Sequence, residues 1–107
     1  MGESVKFTQL PGAVDIEFLQ GDSFTFQLDF NLDLTGYTFE AAIVLGDGTG
    51  TEVAMTVTPV DLAAGQIEVQ LSAALSETVP RGINSWYLRW TVGAEVQTIL
   101  AGDATVD

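Results

Sequence analysis

Apolar and polar residues alternate with a period of two along much of the chain. The clearest case is Ser23 to Phe30, in which every second residue is a large apolar one: Phe24, Phe26, Leu28 and Phe30. Successive side chains of a strand point to opposite faces of a sheet, whereas a helix would repeat every 3.6 residues. The segment therefore predicts a strand with one buried face.

The same alternation predicts further strands along the chain. They cover residues 14–18, 37–45, 53–57, 67–71, 86–92 and 96–106, and turn-forming residues separate them, including the glycine-rich stretch Gly46 to Gly50. We expect Pro59 to end the fourth strand, because proline cannot donate to a strand ladder. We also expect a bulge or kink at Gly102 in the last strand.

One short segment departs from this pattern. Ser72 is a good N-cap for the helix formers that follow it, and Pro80 and Gly82 stop the element within about two turns. The sequence thus predicts a single short helix near residues 72–79.

About seven short strands, each followed by a turn, are typical of an antiparallel β-sandwich or a small barrel, and the sandwich is the first choice. A chain of 107 residues with 47% hydrophobic types has enough apolar material for one core. We expect one domain over residues 1–107, in which residues 1–12 are a candidate flexible or swapped N-terminal arm.

The charge of the chain limits its partners. Three basic residues face 15 acidic ones, for a formal net charge of -12, which opposes binding to phosphate backbones and to anionic membranes. No apolar run approaches the roughly 20 residues needed to span a bilayer. The segment Met1 to Gln9 lacks the pattern of a secretion signal. We expect neither nucleic acid nor membrane as a partner.

The chain has no His and no Cys, which removes the imidazole base, the thiolate nucleophile and zinc sites built from these ligands. Asp15 and Glu17 have the spacing of a carboxylate pair, but they lie on the polar side of their strand and are better interpreted as solvated charges. We expect no enzymatic activity and no cofactor.

Two loop features have a structural and a functional interpretation. Asp22, Asp33 and Asp47 could supply oxygen ligands to a calcium ion, but each lies where an aspartate commonly bonds to its own turn. The stretch Gly46 to Gly50 lacks the Lys and the Ser or Thr that follow the glycines of a phosphate-binding loop. We prefer the turn and hairpin interpretations.

Aromatic residues define the candidate contact residues. Trp86 and Trp90 share a face with Leu88, so we expect them in the core rather than, with Tyr37, on a sugar-stacking surface. Tyr87 and Arg89 point to the opposite face, and both residue types are enriched at energetic centres of interfaces. The candidate partner-contact residues are Tyr37, Tyr87 and Arg89.

Three motifs follow one another in an informative order: Gln20-Gly21-Asp22, Leu34-Thr35-Gly36, and Leu71 to Ala74 with Val79 to Gly82. Together with the ending Thr98 to Val106, they resemble the small immunoglobulin-like domains of tailed-bacteriophage structural proteins, in particular the N-terminal domain of upper baseplate proteins. The resemblance covers nearly the whole chain. It implies an immunoglobulin-like antiparallel sandwich.

The resemblance also implies a role in assembly. The expected function is a non-enzymatic virion protein of the tail or baseplate, or a fibre adaptor, which contacts other virion structural proteins and forms a homo-oligomer or a symmetric array. The expected location is the virion, assembled in the host cytoplasm. In baseplate proteins further domains follow this one, so a capsid decoration protein is an alternative. A carbohydrate-binding module and a cellular immunoglobulin-like adhesion or accessory domain also stay open.

Overall fold

Strands dominate the structure, a computed structural model that describes residues 12–107. The strands are β1 (Gly12–Ala13), β2 (Ile16–Phe18), β3 (Phe24–Asp29), β4 (Thr38–Val44), β5 (Glu52–Asp61), β6 (Gln66–Leu71), β7 (Gly82–Val92) and β8 (Glu95–Val106). A 3-10 turn, Leu62–Ala64, precedes β6, and the short helix α1, Ala73–Ser76, follows it. The all-β prediction with one short helix is confirmed.

The strands form two layers that share β5. The front sheet has the order β2, β8, β7, β4 and the first part of β5, and β1 also pairs with β8. The back sheet has the order β3, β6 and the second part of β5. Strand β5 passes from one sheet to the other between Met55, which pairs with Ala41, and Thr56, which pairs with Gln70.

The strand order is that of an immunoglobulin-like sandwich, in which two layers are linked by crossing connections. One difference from the sequence prediction concerns the N-terminal edge. Both β1 and β2 run parallel to β8, so the front sheet is mixed rather than purely antiparallel. Gly12, the last residue of the predicted arm, already pairs with Leu100, and the rest of that arm lies outside the described residues.

The core fills the space between the two layers. Edge-to-face aromatic contacts bridge them, with Phe26 of β3 against Trp86 of β7 at 5.8 Å and Phe30 against Trp90 at 5.6 Å between ring centroids. Both tryptophans are buried. The other large buried side chains include Leu34, Ile43, Ile67, Val69, Leu71, Val79, Leu88 and Val106. The alternation in the sequence therefore marks the inner faces of both sheets.

The prediction that Pro59 ends its strand is wrong. Strand β5 continues through Pro59, which pairs with Ile67, to Asp61, with an irregularity between Pro59 and Asp61. No described strand pairs with the other side of this part of β5, so a missing N–H at that edge breaks no ladder bond. Proline is tolerated here because β5 is an edge strand.

The bulge predicted at Gly102 lies elsewhere. Leu88 pairs with Leu100 and Arg89 with Thr98, so the extra residue of β8 is Ile99. Gly102 has a different role. A Cβ atom at this position would overlap the backbone carbonyl of Val14, so glycine leaves room for the segment that joins β1 to β2.

The prediction of a short helix is confirmed, but the helix is shorter than predicted. Ser72 accepts a hydrogen bond from the backbone N–H of Leu75 at 3.2 Å, as expected of an N-cap. The helix ends at Ser76, and the chain reaches Pro80 through a further turn. Among the described residues, no helix is long and apolar enough to cross a membrane.

Candidate functional site

The outward face of β7 carries two of the three candidate contact residues. Alternation places Trp86, Leu88 and Trp90 in the core, and Tyr87 and Arg89 on the outer face of the front sheet, where both are half-buried. The prediction that the tryptophans fill the core is confirmed. A sugar-stacking surface built from Trp86 and Trp90 is therefore not present.

Tyr87 and Arg89 are linked to carboxylates on two neighbouring strands. The Tyr87 hydroxyl donates to Glu52 Oε1 at 2.7 Å, and Arg89 Nη2 donates to the Tyr87 hydroxyl at 3.1 Å. Arg89 Nε donates to Glu40 Oε1 at 2.9 Å, and the guanidinium carbon lies 4.6 Å from the centroid of the Tyr87 ring. These four residues are called the Tyr87 network.

Strand register explains how the network is assembled. Glu40 lies directly opposite Arg89, and Tyr87 lies opposite Ala42, between β4 and β7. Ala42 is buried although it faces outward beside Tyr87. Directly opposed residues on one face of an antiparallel pair are near enough to interact. The backbone thus positions both partners of the ion pair.

The network shifts the ionisation of its own members. Burial raises the pKa of Tyr87 above its ordinary value, and the hydrogen bond to Glu52 raises it further. The hydrogen bond to Glu40 raises the pKa of Arg89. At neutral pH the tyrosine therefore stays a neutral donor and the arginine a cation, beside two carboxylates. This surface presents a fixed aromatic and cationic centre with an acidic border.

Exposed apolar side chains lie on the same face, beyond the network. Ile83 at the start of β7 is 69% exposed and Val96 in β8 is 59% exposed. Ile83 pairs with Thr105, and Val96 pairs with Thr91, so both belong to the outer face of the front sheet. The face combines aromatic, arginine and aliphatic contacts, which is a composition found in interfaces.

Tyr37 lies apart from the Tyr87 network. Its ring packs edge-on against Trp90, with 5.1 Å between centroids, and it borders the core. The structure thus brings two of the three candidate contact residues together and places the third at the rim of the core.

Two of the three aspartates considered as calcium ligands are bonded within separate loops. Asp33 accepts from the backbone N–H of Thr35 at 2.9 Å, and Asp47 accepts from the N–H of Thr49 at 3.0 Å. Hydrogen bonds to these threonines lower the pKa of both carboxyls. Within residues 12–107, no group of three or more acidic residues is placed to hold a metal ion.

The carboxylates of Asp15 and Glu17 have different partners. Asp15 lies between β1 and β2 and accepts from the backbone N–H of Asp103 at 2.9 Å. Glu17 lies beside Asp107, whose hydrogen bond and negative charge raise the pKa of Glu17. The two residues therefore do not form a carboxylate pair with a common target.

Two buried polar residues were not singled out from the sequence. Asn84 accepts from the backbone N–H of Gly46 at 2.8 Å and donates to the carbonyl of Pro80 at 3.0 Å. Ser76 Oγ accepts from the N–H of Gly21 at 3.0 Å. The sequence pattern could have predicted burial of Asn84, because it lies two residues before Trp86 and therefore on the same inner face of β7.

Two of the motifs that carry the resemblance contact each other. In the first motif, the Gln20 side chain donates to the carbonyl of Val79 at 3.0 Å, and Gly21 bonds to Ser76. The residues they reach belong to the segment of helix α1 and its proline stop, more than 50 positions away in sequence. Two of the three motifs therefore form one structural unit, called the α1 latch and made of Gln20, Gly21, Ser76 and Val79.

The second motif builds a separate turn. Leu34 is fully buried and its N–H donates to the carbonyl of Leu62 at 2.7 Å. Gly36 has a φ of 88°, a conformation that costs other residues but not glycine. This motif attaches the connection between β3 and β4 to the 3-10 turn of the back sheet.

Comparison of the chain with protein-family models and with curated proteins finds no match.

Proposed function

We propose that this chain is a non-enzymatic structural component of a tailed-bacteriophage particle, placed in the tail or baseplate or acting as a fibre adaptor. It assembles through protein–protein contacts with other virion proteins and with copies of itself. The proposal includes assembly in the host cytoplasm and location in the virion.

The observation that carries the proposal is the α1 latch. Short turn motifs occur in many sandwiches, but here the Gln20-Gly21 motif is hydrogen-bonded to the helix segment that completes the same resemblance. Motifs that must meet in space are less easily matched by chance than motifs that each make an isolated turn. This supports treating them as one family pattern.

The proposed contact surface is the outer face of the front sheet around the Tyr87 network. Arg89 has a side chain 35% exposed and Glu40 one 60% exposed, so a partner can reach both. Their mutual bond holds Arg89 in place before binding, which lowers the entropic cost of docking. The acidic border favours a partner with a basic surface.

The first experiment asks where the chain is in the particle. An antibody raised against the recombinant chain is used for immunogold labelling of intact particles of the phage that encodes it. Label at the tail end supports the proposal. Label over the head would replace it with a capsid decoration role, and unlabelled particles, with the chain also missing from purified virions by mass spectrometry, would reject a virion role.

The second experiment tests the surface. Phage carrying Arg89→Glu are expected to incorporate at least about tenfold less of the chain, because the change removes the guanidinium that holds Tyr87 and Glu40 in place and adds a carboxylate that disrupts the network. Arg81→Glu is the matched control, since it makes the same charge change at an exposed residue outside the network. Equal incorporation of both variants would move the contact to another face. Thermal melting of the purified variants checks that both are folded.

A further inference from the structure

The two sheets leave an open apolar groove on one side of the sandwich. It lies between β2 at the edge of the front sheet and β3 at the edge of the back sheet, and its volume is about 370 Å³. Apart from Glu17 and Thr25, its lining residues are apolar: Val14, Ile16, Phe18, Phe24 and Phe26. Phe24 and Phe26 line this open groove and are only half-buried.

Within residues 12–107, strand β3 also has an unpaired backbone edge, called its free edge. It pairs with β6 on one side, and no described strand pairs with its other side. The N–H of Phe30 bonds to the carbonyl of Gly65, which precedes β6. In an antiparallel pair, the backbone N–H and C=O groups of successive residues point alternately toward the partner strand and away from it. Since those of Phe30 point toward β6, those of Thr25, Gln27 and Asp29 point toward the free edge.

The other long edge of the back sheet is protected, and β3 is not. The second part of β5 carries Pro59 and the irregularity beside it, and both features discourage pairing with another chain. Strand β3 has six residues without a proline, a lysine or a bulge. The contrast within one sheet indicates that pairing is blocked at β5 and permitted at β3.

The alternation of apolar and polar residues in β3 favours a second copy of this chain as the partner at this edge, and the low charge of the strand permits the contact. The chain has a formal charge of -12, so most surfaces of two copies repel each other. Strand β3 has one charged residue, Asp29, at its end. Two antiparallel copies of β3 place Phe24, Phe26 and Leu28 opposite apolar residues, and Thr25 and Gln27 opposite polar ones.

We propose that the free edge of β3 pairs antiparallel with the β3 edge of a second copy, around a two-fold axis at Gln27. The pairing joins two back sheets into one and covers Phe24 and Phe26 of both copies. It rests on the proposed function, since it names the first partner in the assembly. A two-fold contact of this kind uses the same patch on both copies.

The test is the oligomeric state of the full chain by sedimentation velocity, from about 10 µM to 1 mM in 0.15 M NaCl. The wild-type chain is expected to form a dimer in a concentration-dependent manner. Gln27→Pro removes an outward N–H and is expected to raise the dimer Kd at least about tenfold. A wild-type chain that stays monomeric over this range would overturn the proposal.

A second pair of variants separates edge pairing from charge and from misfolding. Thr25→Lys with Gln27→Lys is expected to raise the Kd by a similar factor. Thr56→Lys with Thr58→Lys makes the same charge change on the other edge of the same sheet, at exposed positions, and is expected to leave the Kd within about twofold. Equal effects of both pairs would overturn the assignment to β3.

Cross-linking tests the orientation. The chain contains no cysteine, so a Gln27→Cys variant has a single thiol, which a short bismaleimide should join to its copy. Thr58→Cys is the control and should stay uncoupled. A chain that dimerises only after residues 1–11 are removed would also overturn the proposal, because its own N-terminal segment would then occupy the edge.

The two proposals can fail separately. If Gln27→Pro disrupts the dimer but the antibody does not label particles, the edge contact is supported and the virion role is rejected. If the antibody labels tail ends but the chain is a monomer, the virion role is supported and the edge contact is rejected.

Discussion

Two tryptophans on the same face of β7 bond their indole nitrogens to different kinds of partner. Trp86 Nε1 donates to the backbone carbonyl of Val14 at 2.6 Å, whereas Trp90 Nε1 donates to the side chain of Gln97 at 3.2 Å. The first bond attaches the N-terminal edge segment to the core. The second links two neighbouring strands that are already paired.

We expect Trp86→Phe to lower the free energy of unfolding by about 2 kcal/mol, because a shorter ring leaves a gap and the Val14 carbonyl loses its donor. Urea denaturation measures this loss, and hydrogen exchange should become faster in β2. Trp90→Phe is the matched control, for which we expect about 1 kcal/mol, because the Gln97 side chain can turn to water. Equal losses would contradict this account of the Val14 bond.

Asn84 shows what a polar residue on an inner face does in this core. Its side chain bonds to backbone groups of Gly46 and Pro80, which belong to the two loops flanking the start of β7. Leucine at this position would leave both groups without their partner. The parity of Asn84 in the alternation predicts burial, but its partners depend on which loops lie nearby, and only the folded chain shows that.

At the scale of the elements, the α1 latch joins the turn before β3 to the short helix. Helix α1 has four residues, too few to be stable alone. Its position depends on bonds to the turn, and Ser76 is the residue at the centre of these bonds. Ser76 is fully buried, and its hydroxyl lies 3.4 Å from the carbonyl of Leu19 as well as bonding to Gly21.

We expect Ser76→Ala to destabilise the chain by about 1 to 3 kcal/mol, since it leaves the half-buried N–H of Gly21 without its acceptor. Chemical denaturation gives the magnitude, and the amide of Gly21 should exchange faster with solvent. Ser85→Ala, at an exposed serine of β7, is expected to change stability by less than about 0.5 kcal/mol. If Ser76→Ala is as mild as the control, the latch does not contribute to stability.

The strands could be predicted from the sequence because alternation reports directly which side of a strand is buried. Strand β3 lies within one residue of its predicted bounds at each end. Contacts between distant segments could not be predicted in the same way. The continuation of β5 through Pro59, the passage of β5 between sheets and the role of Gly102 all depend on which neighbour a strand has.

The candidate site was predictable to a similar degree. The outward direction of Tyr87 and Arg89 follows from their parity in β7, and the structure agrees. Their bonds to Glu40 and Glu52 depend on the register of three strands, which alternation alone does not determine. Tyr37 immediately precedes β4 and looked equally suitable, but its neighbour is Trp90 in the core rim.

At the scale of the whole molecule, the excess of acidic groups has few internal partners. Within residues 12–107, the structure contains one ion pair, between Arg89 and Glu40. Glu17 and Asp107 lie side by side and repel each other. Other carboxylates, such as Asp33 and Asp47, are held by neutral hydrogen bonds instead. The fold therefore keeps a repulsion at neutral pH that mild acid can relieve.

These groups predict a stability maximum in mild acid. Asp107 raises the pKa of Glu17 above its ordinary value of 4.5, so the folded chain binds a proton more readily there than the unfolded chain, and stability rises as the pH falls through the raised pKa. The pKa values of Asp33 and Asp47 are lowered, so their contribution is present above the unfolded pKa and is lost below about pH 4.

Thermal melting from pH 3 to 8 measures both parts of the pH dependence: the upper limb, where stability rises as the pH falls, and the acid limb, where stability is lost at still lower pH. Asp107→Asn removes the neighbouring charge and is expected to flatten the upper limb, above the ordinary Glu pKa, while leaving the acid limb unchanged. Added salt at about 0.5 M should also flatten the upper limb, because it screens repulsion between exposed charges. A chain whose melting temperature falls steadily from pH 7 to 5 would show that carboxylate repulsion does not control stability in this range. Relief of repulsion would favour both folding and self-association, so melting is measured at two protein concentrations. Only the change in melting temperature that does not depend on concentration belongs to the single chain.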